Sequence, residues 1–118
     1  MTTKPLVWLN SEIKTPPFSK KARLKAGFLL RELQSGVSLS MPDSRQMSVV
    51  GKSCHEIRIR DSSAGKTWRI IYRVDFDAIV IAEIFAKQTQ KTPKKNIDNA
   101  RKRLAEYDNL TEVKNEKE

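Results

Sequence analysis

Along this chain a two-residue and a 3.6-residue hydrophobic period take turns, and each stretch is closed by proline, glycine or a pair of aspartates. A short apolar run at residues 6–9, anchored by Trp8, predicts a first strand. Thr15, Pro16 and Pro17 then interrupt the chain. Either Thr15 or Ser19 can cap the helix that follows, and Pro16 in its first turn costs no hydrogen bond. Phe18, Ala22, Ala26, Leu29 and Leu33 recur at helical spacing, Leu24, Phe28 and Leu30 widen the stripe, and Gly36 is the natural stop. Residues 37–52 keep no period and contain Pro42 and Gly51, so they read as a connection with room for a short helical turn.

Three strand-like runs follow, at residues 54–60, 67–74 and 78–86. The first link contains Gly65, and in the second Asp75 and Asp77 flank Phe76. Both are short enough for hairpins, which makes the strands antiparallel. The third run, IVIAEIFA, is nearly apolar on both faces, as suits a central strand covered on at least one side. Thr92 and Pro93 open a second helix with the apolar stripe Ile97, Ala100, Leu104 and Tyr107. Lys94, Lys95, Arg101, Lys102 and Arg103 give it a solvated basic face, and TEVKNEKE after Leu110 has no core-forming pattern. The expectation is an α+β fold, a small antiparallel sheet packed against an N-terminal and a C-terminal helix. It occupies a single domain over residues 1–110, with a polar, frayed tail at 111–118.

Period two also sorts the strand side chains by face. Ile57 and Ile59 point one way, and Glu56, Arg58 and Arg60 the other; Trp68, Ile70, Tyr72 and Val74 share one face, and Arg69, Ile71 and Arg73 the opposite one. Neighbouring strands thereby pool guanidinium groups, with Lys87 and Lys91 close behind, into a surface suited to polyanions and to phosphate above all. Composition agrees: 23 lysines and arginines against 14 acidic residues give the 118-residue chain a formal charge of +9. Charge alone does not choose among nucleic acid, an anionic membrane and an acidic protein. No apolar run approaches the roughly 20 residues that span a bilayer, and the N-terminus lacks the apolar core of a signal peptide, so the cytoplasm is the expected location. Cys54 is the only cysteine and His55 the only histidine, which leaves no intrachain disulfide and no zinc ligand set. No cofactor is expected.

The order strand, helix, connection, three antiparallel strands and helix resembles the RelE/ParE toxin superfamily. The segments PPFSKKARLKAGFLLRELQSG, HEIRI at 55–59, WRIIYRV at 68–74 and FAKQTQKTP at 85–93 are similar to the HigB-like, phage-derived branch of toxins in type II toxin-antitoxin systems. The resemblance implies a RelE-like fold and a ribosome-dependent messenger RNA endonuclease that inhibits translation. In the metal-independent chemistry of that family the ribose 2′-hydroxyl attacks the adjacent phosphorus, leaving a 2′,3′-cyclic phosphate and a 5′-hydroxyl. Arg69 falls where the superfamily places its phosphate-contacting arginine, Arg58 at a basic position on the preceding strand, and Lys87 just after the last strand. These three are the expected catalytic residues, with Arg60, Arg73 and Lys91 as RNA-binding residues.

His55, Glu56 and Tyr72 are the candidate acid-base groups. His55 has a suitable intrinsic pKa, yet its parity with Ile57 also fits a structural histidine. Tyr72 likewise fits core packing, and Glu56 fits a role in orienting Arg58 and Arg69. The implied partners are the ribosome with its message and a cognate antitoxin of the helix-turn-helix kind, with no membrane. Many relatives carry two consecutive lysines where this chain has Lys87 followed by Gln88, and an amide cannot neutralise a phosphate. A ParE-like gyrase inhibitor and a noncatalytic nucleic-acid-binding module are the alternatives.

Overall fold

The computed structural model describes residues 3–9, 18–63, 65–87 and 91–116, the side chains of residues 87 and 112–116 excepted. Its elements run β1 (Leu6–Trp8), α1 (Lys20–Gln34), β2 (Ser44–Gln46), β3 (Cys54–Asp61), β4 (Lys66–Val74), β5 (Ile79–Lys87) and α2 (Lys94–Glu116). They build an α+β domain with one five-stranded sheet in the order β1-β5-β4-β3-β2. The short links make β3, β4 and β5 antiparallel, and Asp75 N–H closes the second of them onto the Ala78 carbonyl at 2.9 Å. β1 joins β5 in parallel, so the sheet is mixed rather than wholly antiparallel. β2, inside the stretch expected to be a connection, pairs antiparallel with β3 at the far edge.

α1 starts where the Ser19 side chain accepts the Ala22 N–H at 3.1 Å; Thr15 and Pro16 lie outside the described residues. It stops at Gly36, whose φ of 92° suits a residue without a Cβ, while the N–H groups of Gly36 and Val37 return to the Leu33 and Glu32 carbonyls. Ala22, Ala26, Leu29, Leu30 and Leu33 are buried against Ile57, Ile59, Ile70, Ile79 and Ile81, and Phe18 stacks on Trp68 at 4.4 Å. Leu24 and Phe28 do not widen this stripe; they stand 66% and 58% exposed. At 3.6 residues per turn, both fall on roughly the opposite side of the helix from 22, 26, 29 and 33.

The apolar run of β5 serves two cores through a bulge. Ile71 pairs with Glu83 but Tyr72 with Ile81, so Ala82 is the extra residue and the parity of β5 changes there. Ile79, Ile81 and Ile84 all face α1, while Val80, Ala82 and Phe85 join Ile71, Ala100 and Leu104 in a second core beneath α2. Polar contacts fix α2 at two points along this second core. Arg73 bonds Asp108 at 2.7 and 3.0 Å, and buried Glu83 accepts from Asn96, Asn99 and Arg103. The helix runs on to Glu116, so TEVKNE, in the segment expected to fray, has helical backbone. Among the described residues no helix is long and apolar enough to cross a membrane.

Candidate functional site

On the α2 side of the sheet, strand register arranges the charged residues in rows. Arg45 lies opposite Glu56, which lies opposite Ile71 and, beyond it, Glu83. The next row is Arg58, Arg69 and Phe85, and the one after it Arg60, Thr67 and Lys87. Residues directly opposed across two antiparallel strands hold their Cβ atoms about 4.5–5.5 Å apart, and like charges so placed repel. Arg58 and Arg69 are such a pair, so their alignment needs a counter-charge.

Glu56 supplies part of it. Its Oε1 accepts the Arg69 Nη1 proton at 3.0 Å and lies 3.4 Å from Arg45 Nε, while its Oε2 accepts the Thr92 hydroxyl at 2.7 Å. Thr92 Oγ1 in turn accepts from Arg45 Nη2 at 3.1 Å, closing a ring of three side chains, Arg45, Glu56 and Thr92, to which Arg69 is joined through Glu56. Glu56 is 0% and Arg69 3% exposed. The expectation that Arg69 faces solvent is therefore corrected. Its parity is as expected, but the side chain is buried beside Glu56, to which Arg45 from β2 and Thr92 from the lead into α2 also bond.

One carboxylate cannot balance three guanidiniums, and the excess shows. Burial pulls the Arg69 pKa below its usual value; Glu56 opposes that pull, and the charges of Arg58 and Arg45 add to it. Nε of Arg69 and Nε of Arg45 are both buried without a hydrogen-bond acceptor among the described residues. Buried donors left unpaired are uncommon in native proteins and mark a functional group or a missing partner. Arg58 is half-buried and Arg60 exposed, and neither has a carboxylate partner among the described residues. The positive excess thus reaches the surface at Arg58, Arg60 and the one-third-exposed Arg45. Such a surface can hold phosphate oxygens through charge-assisted hydrogen bonds.

Other expected site residues are placed elsewhere. Arg73 is held by two carboxylates, Asp75 at 2.6 and 2.9 Å and Asp108 at 2.7 and 3.0 Å, which raise its pKa and occupy its donors. His55 and Tyr72 lie on the α1 side, with their rings 5.3 Å apart beside a cavity of about 100 Å³. The Tyr72 hydroxyl shares a 2.7 Å hydrogen bond with Ser44, and burial raises the Tyr72 pKa and lowers that of His55. The sheet separates both from the arginines. Lys91 is exposed next to Thr92; Gln88 and the Lys87 side chain lie outside the described residues, although the Lys87 backbone ends the Arg60 row.

Arg45 and Thr92 are the members of the network that the sequence pattern does not single out. SRQ is too short to show an alternation, and Thr92 reads as a helix-start signal rather than as a partner for a carboxylate. A family model described as phage derived protein Gp49-like (DUF891) matches residues 16–105 of the chain, a span that contains the whole network. No curated protein matches the chain.

Proposed function

The chain belongs to the phage-derived Gp49-like family, which is associated with toxins of the RelE/HigB kind, and from that premise we propose that it is the toxin of a type II toxin-antitoxin system. Its activity on this reading is HigB-like: ribosome-dependent cleavage of messenger RNA in the cytoplasm, which stops translation until a cognate antitoxin binds. The observation that carries the proposal is the uncompensated guanidinium charge held in register by Arg45, Arg58 and Arg69 around the single carboxylate of Glu56.

Attack of a ribose 2′-hydroxyl on the adjacent phosphorus forms the O2′–P bond as the P–O5′ bond breaks. The hydroxyl proton passes to water, the 5′-oxygen takes up a proton as it leaves, and negative charge builds on the non-bridging oxygens. Cations fixed before the reaction stabilise that charge more than they stabilise the ground state. Arg58 and Arg60 meet the phosphate at the surface. Arg69 acts from beneath them, where the low dielectric enlarges the effect of its charge. Glu56 is spent on Arg69 and Thr92, and its part is to position the guanidiniums. Lys91, exposed beside Thr92, extends the basic track along the message.

Induction of the chain without an antitoxin should arrest growth with an early collapse of amino-acid incorporation and DNA synthesis still running. Pulse labelling of both measures this. A collapse of DNA synthesis with translation intact would replace the proposal with gyrase inhibition. RNA binding with no new RNA ends would replace it with a noncatalytic module.

A further inference from the structure

Arg45 forms an ion pair with Glu56 that leaves most of its guanidinium donors without a hydrogen bond among the described residues. The carboxylate it faces, Glu56, is already bonded to Arg69 through Oε1 and to Thr92 through Oε2. At 3.4 Å, and with no hydrogen bond from Nε, Arg45 takes only the remainder of that charge. Its single hydrogen bond among the described residues, Nη2 to Thr92 at 3.1 Å, fixes the guanidinium in place without neutralising it. The side chain is 34% exposed, whereas Arg69 on the other side of Glu56 is 3% exposed. A cation that is immobilised, undercompensated and open to solvent is preorganised for an anion.

We infer that Arg45, held by Thr92 and Glu56, makes a direct phosphate contact with single-stranded RNA, one strand over from Arg58. The inference rests on the nuclease proposal for the identity of the nucleic acid. Arg45 is paired with Glu56, which makes it a diagonal neighbour of Arg58, about 7–8 Å away at the backbone, so the two guanidiniums can serve neighbouring parts of one phosphate track. Arg45 then contributes mainly to holding the message, and Arg58 to the reacting phosphate.

The test is equilibrium binding of a short fluorescent single-stranded RNA whose 2′-hydroxyls are methylated at every position, so that it keeps the ribose backbone but cannot be cut through them. Anisotropy is followed over a series of salt concentrations. Arg45→Ala should weaken binding by about tenfold and flatten the plot of log affinity against log salt by about 0.7, the value for one lost phosphate contact on a single strand. Arg45→Lys should keep the slope, and Thr92→Val, which leaves the charge but removes its anchor, should weaken binding with the slope nearly unchanged. Thermal unfolding of each variant checks the fold, and Arg45→Gln, which keeps an amide for Thr92, replaces Arg45→Ala should that variant not fold.

Wild-type affinity and slope in the charge-removing variant would overturn the inference, as would a wild-type protein that does not bind the RNA at all. Arg45-dependent binding in a protein that leaves ribosome-bound message uncut would uphold the inference while the nuclease proposal fell.

Discussion

Arg69 and Glu56 bury opposite charges within 3.0 Å of each other, and the cost of separating them sets the first expectation. Arg69→Ala leaves a fully buried carboxylate with, among the described residues, only Arg45 at 3.4 Å for a cation, and removing one member of a buried pair destabilises by roughly 3 to 5 kcal/mol. The lower end applies here, since Thr92 still bonds Oε2. Arg58→Ala, on a half-buried side chain without a carboxylate partner among the described residues, should stay within about 0.5 kcal/mol of wild type. Urea titrations of the two variants make the comparison; equal midpoints would contradict the buried pairing. Loss of toxicity in Arg69→Ala thus reports on folding as well as on charge, and Arg58→Ala is the cleaner test of the site. Asp61 supplies a pH-dependent term of known sign. The Ser19 backbone N–H, with help from the Ser19, Trp68 and Ser63 side chains, lowers its pKa from 3.8 to about 2. The ionised form favours the fold, so its contribution is complete above pH 3.8 and disappears as pH falls towards 2. Asp61→Asn should flatten the stability profile in that window, as followed by urea midpoints at successive pH values. A wild-type slope in the variant would show that Asp61 does not carry the effect.

Among the elements, α1 shows how far spacing alone can be taken. Its buried face follows from Ala22, Ala26, Leu29 and Leu33, whereas Leu24 and Phe28 are apolar for no reason found within this chain's core. Leu29→Ala should cost about 2 to 5 kcal/mol, because it opens a cavity against the sheet. Phe28→Ala should cost no more than about 0.5 kcal/mol, because the side chain is mostly in water. Thermal melting separates these outcomes, and a large loss for Phe28→Ala would mean that the exposed face is packed. β3, β4 and the faces of their side chains were legible because alternation is a local property. The cover over a face is not local: parity placed Arg69 on the side away from α1, but not its burial, nor that its partner Glu56 is shared with Arg45 on β2 and Thr92, far off in the chain. β2 itself has three residues without apolar alternation, and its pairing with β3 is all that makes it a strand. The bulge at Ala82 was hidden for a similar reason, since a run apolar at every position but Glu83 looks nearly the same in either register.

At the scale of the whole molecule, the sheet divides the labour. α1 and the larger core hold one side, where Tyr72 is buried and His55 half-buried, and the other side is shared between α2 and the arginine rows. The expected acid-base groups on the α1 side are cut off from phosphate bound at Arg58, so charge stabilisation has to supply most of the catalysis assigned to this face. Losing one preorganised donor of that kind costs about 2.7 to 4 kcal/mol, a hundredfold to a thousandfold in rate. Such stabilisation still requires a nucleophile, and in the proposed reaction the message provides it. Ribosome-bound message with one 2′-deoxy nucleotide on the 5′ side of the cut should therefore bind as well as the unmodified message and resist cleavage, because the attacking hydroxyl is gone while every phosphate remains. The unmodified message should yield a 2′,3′-cyclic phosphate on one fragment and a 5′-hydroxyl on the other, which end-specific labelling and mass measurement both detect. Equal cleavage of the two messages would mean that water is the nucleophile, and a base able to activate it would have to lie within reach of Arg58, a place that neither His55 nor Tyr72 occupies and where Glu56 is already bonded to Arg69 and Thr92.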